Sequence, residues 1–102
     1  MYDMANLKKL AAQGNLAPEA SKAYQAFNQA ALADGVVPKK YKELMAIAVA
    51  LTTQCPYCIE VHKDAAVKAG ASEAELAETT FVAAALRAAA AVVHGTHLLS
   101  DA

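Results

Sequence analysis

Leu44-Met45-Ala46-Ile47-Ala48-Val49-Ala50-Leu51 is a run of eight apolar residues without a charge or a turn-former. Pro38 stands upstream, where a first helical position suits a residue with no N–H to donate. Lys39, Lys40 and Lys42 follow it and keep the start of the segment wet. The run therefore reads as the body of a helix opened at Pro38. A helix apolar on all sides lies at the centre of a core or between subunits.

The punctuation on either side is helical too. A first helix is expected over 3–13, with Gly14 as its stop. Pro18 and Glu19 open a second, with Ala23, Phe27, Ala30 and Ala31 on one stripe and an end near Gly35. Beyond the apolar run, Thr52-Thr53-Gln54 is a polar break, and Pro56 then suits the first turn of a fourth helix over 55–69, stopped by Gly70. Ser72 and Glu75 form an S-x-x-E capping box for a fifth, from Glu73 to about His94, with Gly95 after it. Nothing alternates with period two for long enough to make a strand. There is no internal repeat or linker, so the expectation is one all-α domain of about five helices spanning 1–102.

Composition narrows the function. Hydrophobic residues make up 57% and charged residues 19%, which excludes a disordered chain and predicts a substantial core. About a quarter of the residues are alanine, as in helices packed through small side chains. A net charge of −1 supplies no basic field for a phosphate backbone, so nucleic acid is not an expected partner. The apolar stretch 81–93 is shorter than the roughly 20 residues of a membrane span and contains Arg87, so no membrane partner is expected. Arg87 itself is expected to snorkel, or to pair with a carboxylate at an interface. Two such apolar segments in so short a chain predict self-association.

The two cysteines, Cys55 and Cys58, are three positions apart. A disulfide across so short a loop staples nothing, because the entropic gain grows with loop length. In a chain whose first residues, MYDMANLKKL, lack an apolar signal segment, the pair points to redox or metal chemistry in a reducing cytoplasm. On a helix starting at Cys55, Cys58 lies one turn in and His62 a further turn along the same face. A thiol at a helix N-terminus is stabilised as thiolate by the dipole and the free N–H groups. His62 is placed to take the Cys58 proton, and Cys55 to close a disulfide on an oxidised Cys58. The dipole favours Cys55 as the acidic thiol and the histidine spacing favours Cys58; the expectation follows the histidine, to Cys58. Glu43, at the mouth of the apolar helix, is either its last wet residue or the carboxylate that orients His62. Tyr57 is placed to shape access, and reads as a rim aromatic sooner than as a catalytic phenol.

Glu43, eleven residues, Cys55-Pro56-Tyr57-Cys58, three residues and His62 together resemble the AhpD-like alkylhydroperoxidases of the carboxymuconolactone decarboxylase superfamily. The resemblance runs from the second helix to Gly95. It implies an all-α fold assembled as a trimer or hexamer, with each site near a subunit interface. It assigns peroxide attack to Cys58, resolution to Cys55, and a proton relay to Glu43 and His62. The best-characterised members carry a further histidine between the cysteines where this chain has Tyr57, so the lipoylated reductant used there does not carry over. The expected function is alkyl hydroperoxide reduction, or disulfide reduction, with an external dithiol as reductant and no cofactor. No glycine-rich phosphate loop suggests a nucleotide.

Three other readings fit parts of the pattern. Cys55, Cys58, His94 and His97 make a Cys₂His₂ set on paper, but two residues between the histidines is short for zinc. His94 is more simply placed by a helix C-terminus, with His97 in the tail. The decarboxylase branch of the superfamily does not depend on a cysteine pair. A thiol sensor would share the first chemical step with a peroxidase.

Overall fold

The computed structural model describes residues 2–101, and among them it is all-helical. Five α-helices follow one another: α1 (Leu10–Leu16), α2 (Pro18–Leu32), α3 (Lys39–Thr53), α4 (Pro56–Lys68) and α5 (Glu73–His94). A 3-10 turn, Met4–Lys9, precedes α1 and another, Gly95–Leu98, follows α5. The body is α3 with α4 on one side and α5 on another; α1 and α2 form an arm that packs chiefly on itself.

Local chemistry explains most of the boundaries. Proline stands in the first turn of α2 and of α4, and Pro38 caps α3. The Ser72 hydroxyl accepts the Glu75 N–H while the Glu75 carboxylate accepts the Ser72 N–H, so the capping box forms as expected. Gly70 takes φ +100, and Ala71 N–H returns to the Ala66 carbonyl at 2.9 Å, which closes α4 with the left-handed cap only glycine adopts without strain.

Three glycines behave differently from their sequence reading. Gly14 does not stop the first helix: it lies inside α1, where a Cβ would sit 2.9 Å from Ser21 Oγ. Its role is to let α1 and α2 approach. The chain before it, expected as one helix, is a 3-10 turn capped by Asp3, whose carboxylate accepts the Ala5 N–H. The second helix ends at Leu32, three residues short of Gly35, because Asp34 Oδ1 takes the Lys39 N–H and turns the chain into α3. Gly95 is right-handed and carries the chain onward into the 3-10 turn.

The core is smaller than the composition implies. Its buried apolar residues are Ile47 and Ala50 of α3, Ala66 of α4 and Ala83 of α5. The 23, 27, 30, 31 stripe of α2 is exposed, Phe27 by 71%, because the arm meets the body only briefly. Met45 and Val49 leave the apolar run of α3 half open as well. The radius of gyration is 17.3 Å, against about 13 Å for a compact chain of this length. α5 is also longer than its apolar centre: residues 73–98 hold an 18-residue window of mean hydropathy 1.6, long and apolar enough to cross a membrane by length and composition alone. In the fold this helix packs along α3, and Arg87 donates to the Thr52 carbonyl at 3.3 Å, so its partner within the chain is a backbone oxygen and not a carboxylate.

Candidate active site

The site forms where the end of α3 passes into the start of α4. Gln54 adopts the left-handed conformation, φ 58, the only non-glycine among the described residues to do so. That turn lets both Gln54 N–H and Cys55 N–H return to the Ala50 carbonyl. It sends the chain directly into α4 with Cys55 as the N-cap. Cys55 Sγ fills the role a serine hydroxyl usually plays, accepting the Cys58 N–H at 3.3 Å.

The two sulfurs are 2.8 Å apart and both are free thiols. They share a proton unequally. Cys55 is held below the ordinary thiol range, first by the hydrogen bond from the Cys58 side chain and then by the Cys58 N–H. Cys58 is held above that range, first by its hydrogen bond to Cys55 and then by burial. The N-cap sulfur is therefore the more acidic of the two, the direction the dipole favours and the opposite of what the histidine spacing favours.

One turn further along α4, His62 meets Glu43 across the α3–α4 packing. Glu43 Oε2 lies 2.7 Å from His62 Nδ1, and its other oxygen accepts Lys39 Nζ at 3.2 Å. Glu43 is 2% exposed, the one charged residue among the buried ones. It is no wet helix end: it lies on the stripe with Ile47 and Ala50 that faces inward. With its Nδ1–H given to the carboxylate, neutral imidazole presents Nε2 as an acceptor.

Cys58 and His62 both line a cleft of about 610 Å³ between α4 and the arm; Cys55 is not among its walls. Leu7, Leu10, Tyr24 and Val61 supply apolar wall, and the polar groups from the arm are neutral, among them Gln13, Gln25 and Asn28. No Lys, Arg, Asp or Glu borders it. All four residues singled out in the sequence thus come together, as a thiol pair and a carboxylate–imidazole pair on one helix junction.

Tyr57, inside the C-x-x-C, is tied to the N-terminal turn, a contact its sequence position does not reveal. Its phenol oxygen accepts from Asn6 Nδ2 at 3.0 Å and from the Asp3 N–H at 3.3 Å, and its ring lies 5.3 Å from that of Tyr2. Tyr2 Oη in turn donates to the Gln54 carbonyl. The only available signal was an aromatic inside the C-x-x-C itself. His94 and His97 lie together at the end of α5, ring centroids 6.3 Å apart, and among the described residues no three His, Cys, Asp or Glu side chains converge as metal ligands.

Comparison with known proteins agrees with the all-helical fold. The chain is 42% identical over 78 residues to an uncharacterized protein of the cox locus of Paracoccus denitrificans, covering 76% of this chain and 70% of the relative. It is 35% identical over 71 residues to an uncharacterized protein of Cupriavidus necator, covering 70% of this chain and 63% of that one. Among solved structures, it superimposes with a TM-score of 0.75 and 39% identity on a carboxymuconolactone decarboxylase family protein from Legionella pneumophila, across 78% of this chain and 71% of the other. The sequence pattern of that family matches residues 18–101. With fold and sequence in agreement, the chain belongs to the carboxymuconolactone decarboxylase family.

Proposed function

We propose that this protein is a two-cysteine thiol peroxidase that reduces organic hydroperoxides and is reset by an external dithiol. The observation that carries the reading is the buried Glu43–His62 pair, whose imidazole shares a cleft with Cys58. Charge and access point to different sulfurs. We assign attack to Cys58, since a proton crosses 2.8 Å between sulfurs readily whereas a peroxide must reach the sulfur that borders the cleft.

The Cys58 proton passes to His62 or to the Cys55 thiolate, leaving Cys58 as nucleophile. Cys58 sulfur attacks the distal peroxide oxygen, the O–O bond breaks, and the leaving alkoxide takes a proton to depart as alcohol. Cys58 is now a sulfenic acid. Cys55 attacks its sulfur, the S–O bond breaks, and water leaves as the Cys55–Cys58 disulfide forms. A dithiol of low potential reduces that disulfide by exchange and becomes a disulfide itself. The residues in hand need no cofactor for these steps.

The working form in this reading is a homo-oligomer in the cytoplasm. A single chain exposes 7842 Å², whereas a compact monomer of its mass exposes roughly 5,500 Å². The excess, on the order of 2,000 Å², falls in the range of stable subunit interfaces. The resemblance supports three or six copies, which light scattering on the eluted protein counts directly.

The deciding experiment is a single turnover. Pre-reduced protein is mixed with one equivalent of cumene hydroperoxide while peroxide and intact mass are followed. Loss of one peroxide per subunit with formation of an intrachain disulfide, abolished in Cys58→Ser, is expected. Cys55→Ser should consume peroxide once and stop at sulfenic acid. Inert thiols in the parent protein would rule out the proposal.

A further inference from the structure

The arm is held to the body by two sets of polar ties at its opposite ends. At the exit of α2, Lys39 Nζ donates to the Leu32 carbonyl and Lys42 Nζ to the Ala33 carbonyl. At the N-terminal end, Asn6 Nδ2 and Asp3 N–H both converge on Tyr57 Oη, and Tyr2 Oη reaches the Gln54 carbonyl. Between the two ends runs the cleft that Cys58 and His62 border. Apolar burial does little to hold the arm, since neither the first 3-10 turn nor α1 nor α2 contains a buried residue. Specific polar ties therefore set the position of the arm.

We propose that Tyr57 is a positioning residue that sets the width of the cleft. Its phenol oxygen clasps the N-terminal turn onto the start of α4, and Leu7 and Leu10 thereby become the wall opposite Val61. Tyr57 also lines the cleft, and its backbone is one of the groups that lower the Cys55 thiol, but its phenol oxygen acts through the arm. The substrate class follows from the wall so placed, which is apolar or neutral throughout: an uncharged hydroperoxide with a bulky apolar body is favoured over hydrogen peroxide or a carboxylate-bearing one. The selectivity part of this inference rests on the peroxidase reading; the clasp itself does not.

Two variants remove the clasp from opposite ends. Tyr57→Phe keeps the ring beside Tyr2 and deletes both hydrogen bonds to the oxygen. Asn6→Ala deletes one of them without touching the C-x-x-C. Three readouts separate the possibilities. Amide hydrogen exchange over residues 4–16 should quicken in both variants while 39–94 stay as in the parent. Binding of cumyl alcohol, the product of cumene hydroperoxide and inert to thiols, should weaken about three- to tenfold, the range one neutral hydrogen bond spans. In single turnover, half-saturation by cumene hydroperoxide should rise by the same factor while the limiting rate and the reaction with hydrogen peroxide stay unchanged. The double variant should be no worse than Tyr57→Phe alone, because both changes break the same contact.

Unchanged exchange in the arm would overturn the clasp, whatever the peroxidase assays show. Faster exchange with unchanged cumyl alcohol binding would overturn the claim that the clasp shapes the cleft. A parent protein that binds cumyl alcohol through Tyr57 yet leaves peroxide intact would sink the peroxidase reading and retain the clasp.

Discussion

Replacing Glu43 probes the contact by which α3 holds the imidazole of α4. Both carboxylate oxygens are engaged, Oε2 with His62 Nδ1 at 2.7 Å and Oε1 with Lys39 Nζ at 3.2 Å, and the residue is 2% exposed. The partners are unequal: the His62 side chain is 20% exposed and that of Lys39 46%. Solvent screens the lysine contact, so nearly all the cost of a substitution falls on the histidine. Glu43→Gln keeps the shape but has one acceptor where there were two. If its oxygen faces His62, a charge-assisted bond becomes a neutral one, a loss of about 1–2 kcal/mol. If its amide nitrogen faces His62, the ring must take the other tautomer, and Nε2 no longer accepts a proton. Either arrangement is expected to slow the reaction of Cys58 with hydroperoxide by roughly five- to thirtyfold, at about 1.4 kcal/mol per decade of rate. Glu43→Ala leaves the imidazole N–H without a partner and should cost a further 1–3 kcal/mol or so in folding stability. Stopped-flow single turnovers on pre-reduced protein give the rate, and urea titration gives the stability. Lys39→Ala is the comparison variant: it also unties the Leu32 carbonyl at the base of the arm, so its half-saturation is expected to rise while its limiting rate and its urea midpoint stay close to the parent's. A Glu43→Gln protein that folds and reacts at the parental rate would refute the relay. A Lys39→Ala protein as slow as Glu43→Gln would shift the role from the histidine to the lysine pair.

The thiol pair predicts opposite pH shifts for its two members. Removing the Cys58 side chain with Cys58→Ala takes away the largest cause of Cys55's acidity, so the midpoint of Cys55 alkylation by iodoacetamide should move up toward an ordinary thiol; Cys55→Ala should move the Cys58 midpoint down. A Cys55 midpoint that does not rise in Cys58→Ala contradicts the shared proton. At Ala66, fully buried on α4, Leu has nowhere to go against α3, and Ala66→Leu should lower stability by about 1–3 kcal/mol in urea titration; a neutral result would mean α3 and α4 are not in contact there. Ser72→Ala removes the capping hydroxyl of α5 and should cost about 1 kcal/mol, largely restored by Ser72→Asp. Equal losses in both variants would show that the cap contributes nothing.

The helices and the face of α4 were legible in the sequence because they depend on neighbours within a turn or two. Proline at 18, 38 and 56, the Ser72–Glu75 box and Gly70 each act on backbone groups a few residues away, and the structure places its helix starts and the end of α4 accordingly. The same local periodicity put Cys55, Cys58 and His62 on one face. Where a residue had two local readings, the wrong one was sometimes chosen. Gly14 looks like a stop, but its missing side chain serves a contact with Ser21 on the next helix. Nothing within one turn distinguishes those uses.

Whether Glu43 meets His62 was open in the sequence, since a helix can present the same inward stripe at several rotations against its neighbour. The packing of α3 on α4 chose the rotation that closes the 2.7 Å contact. Tertiary structure likewise brought the sulfurs to 2.8 Å, because the left-handed turn at Gln54 makes Cys55 the N-cap, and so made Cys55 the more acidic of the pair. It decided that Tyr57 holds the arm, through partners more than fifty residues away in the chain. Sequence determined the segments and the chemistry each could carry, through interactions along a helix. Which of those groups touch was decided only by packing between helices, where a single rotation or a slight approach decides whether a hydrogen bond exists.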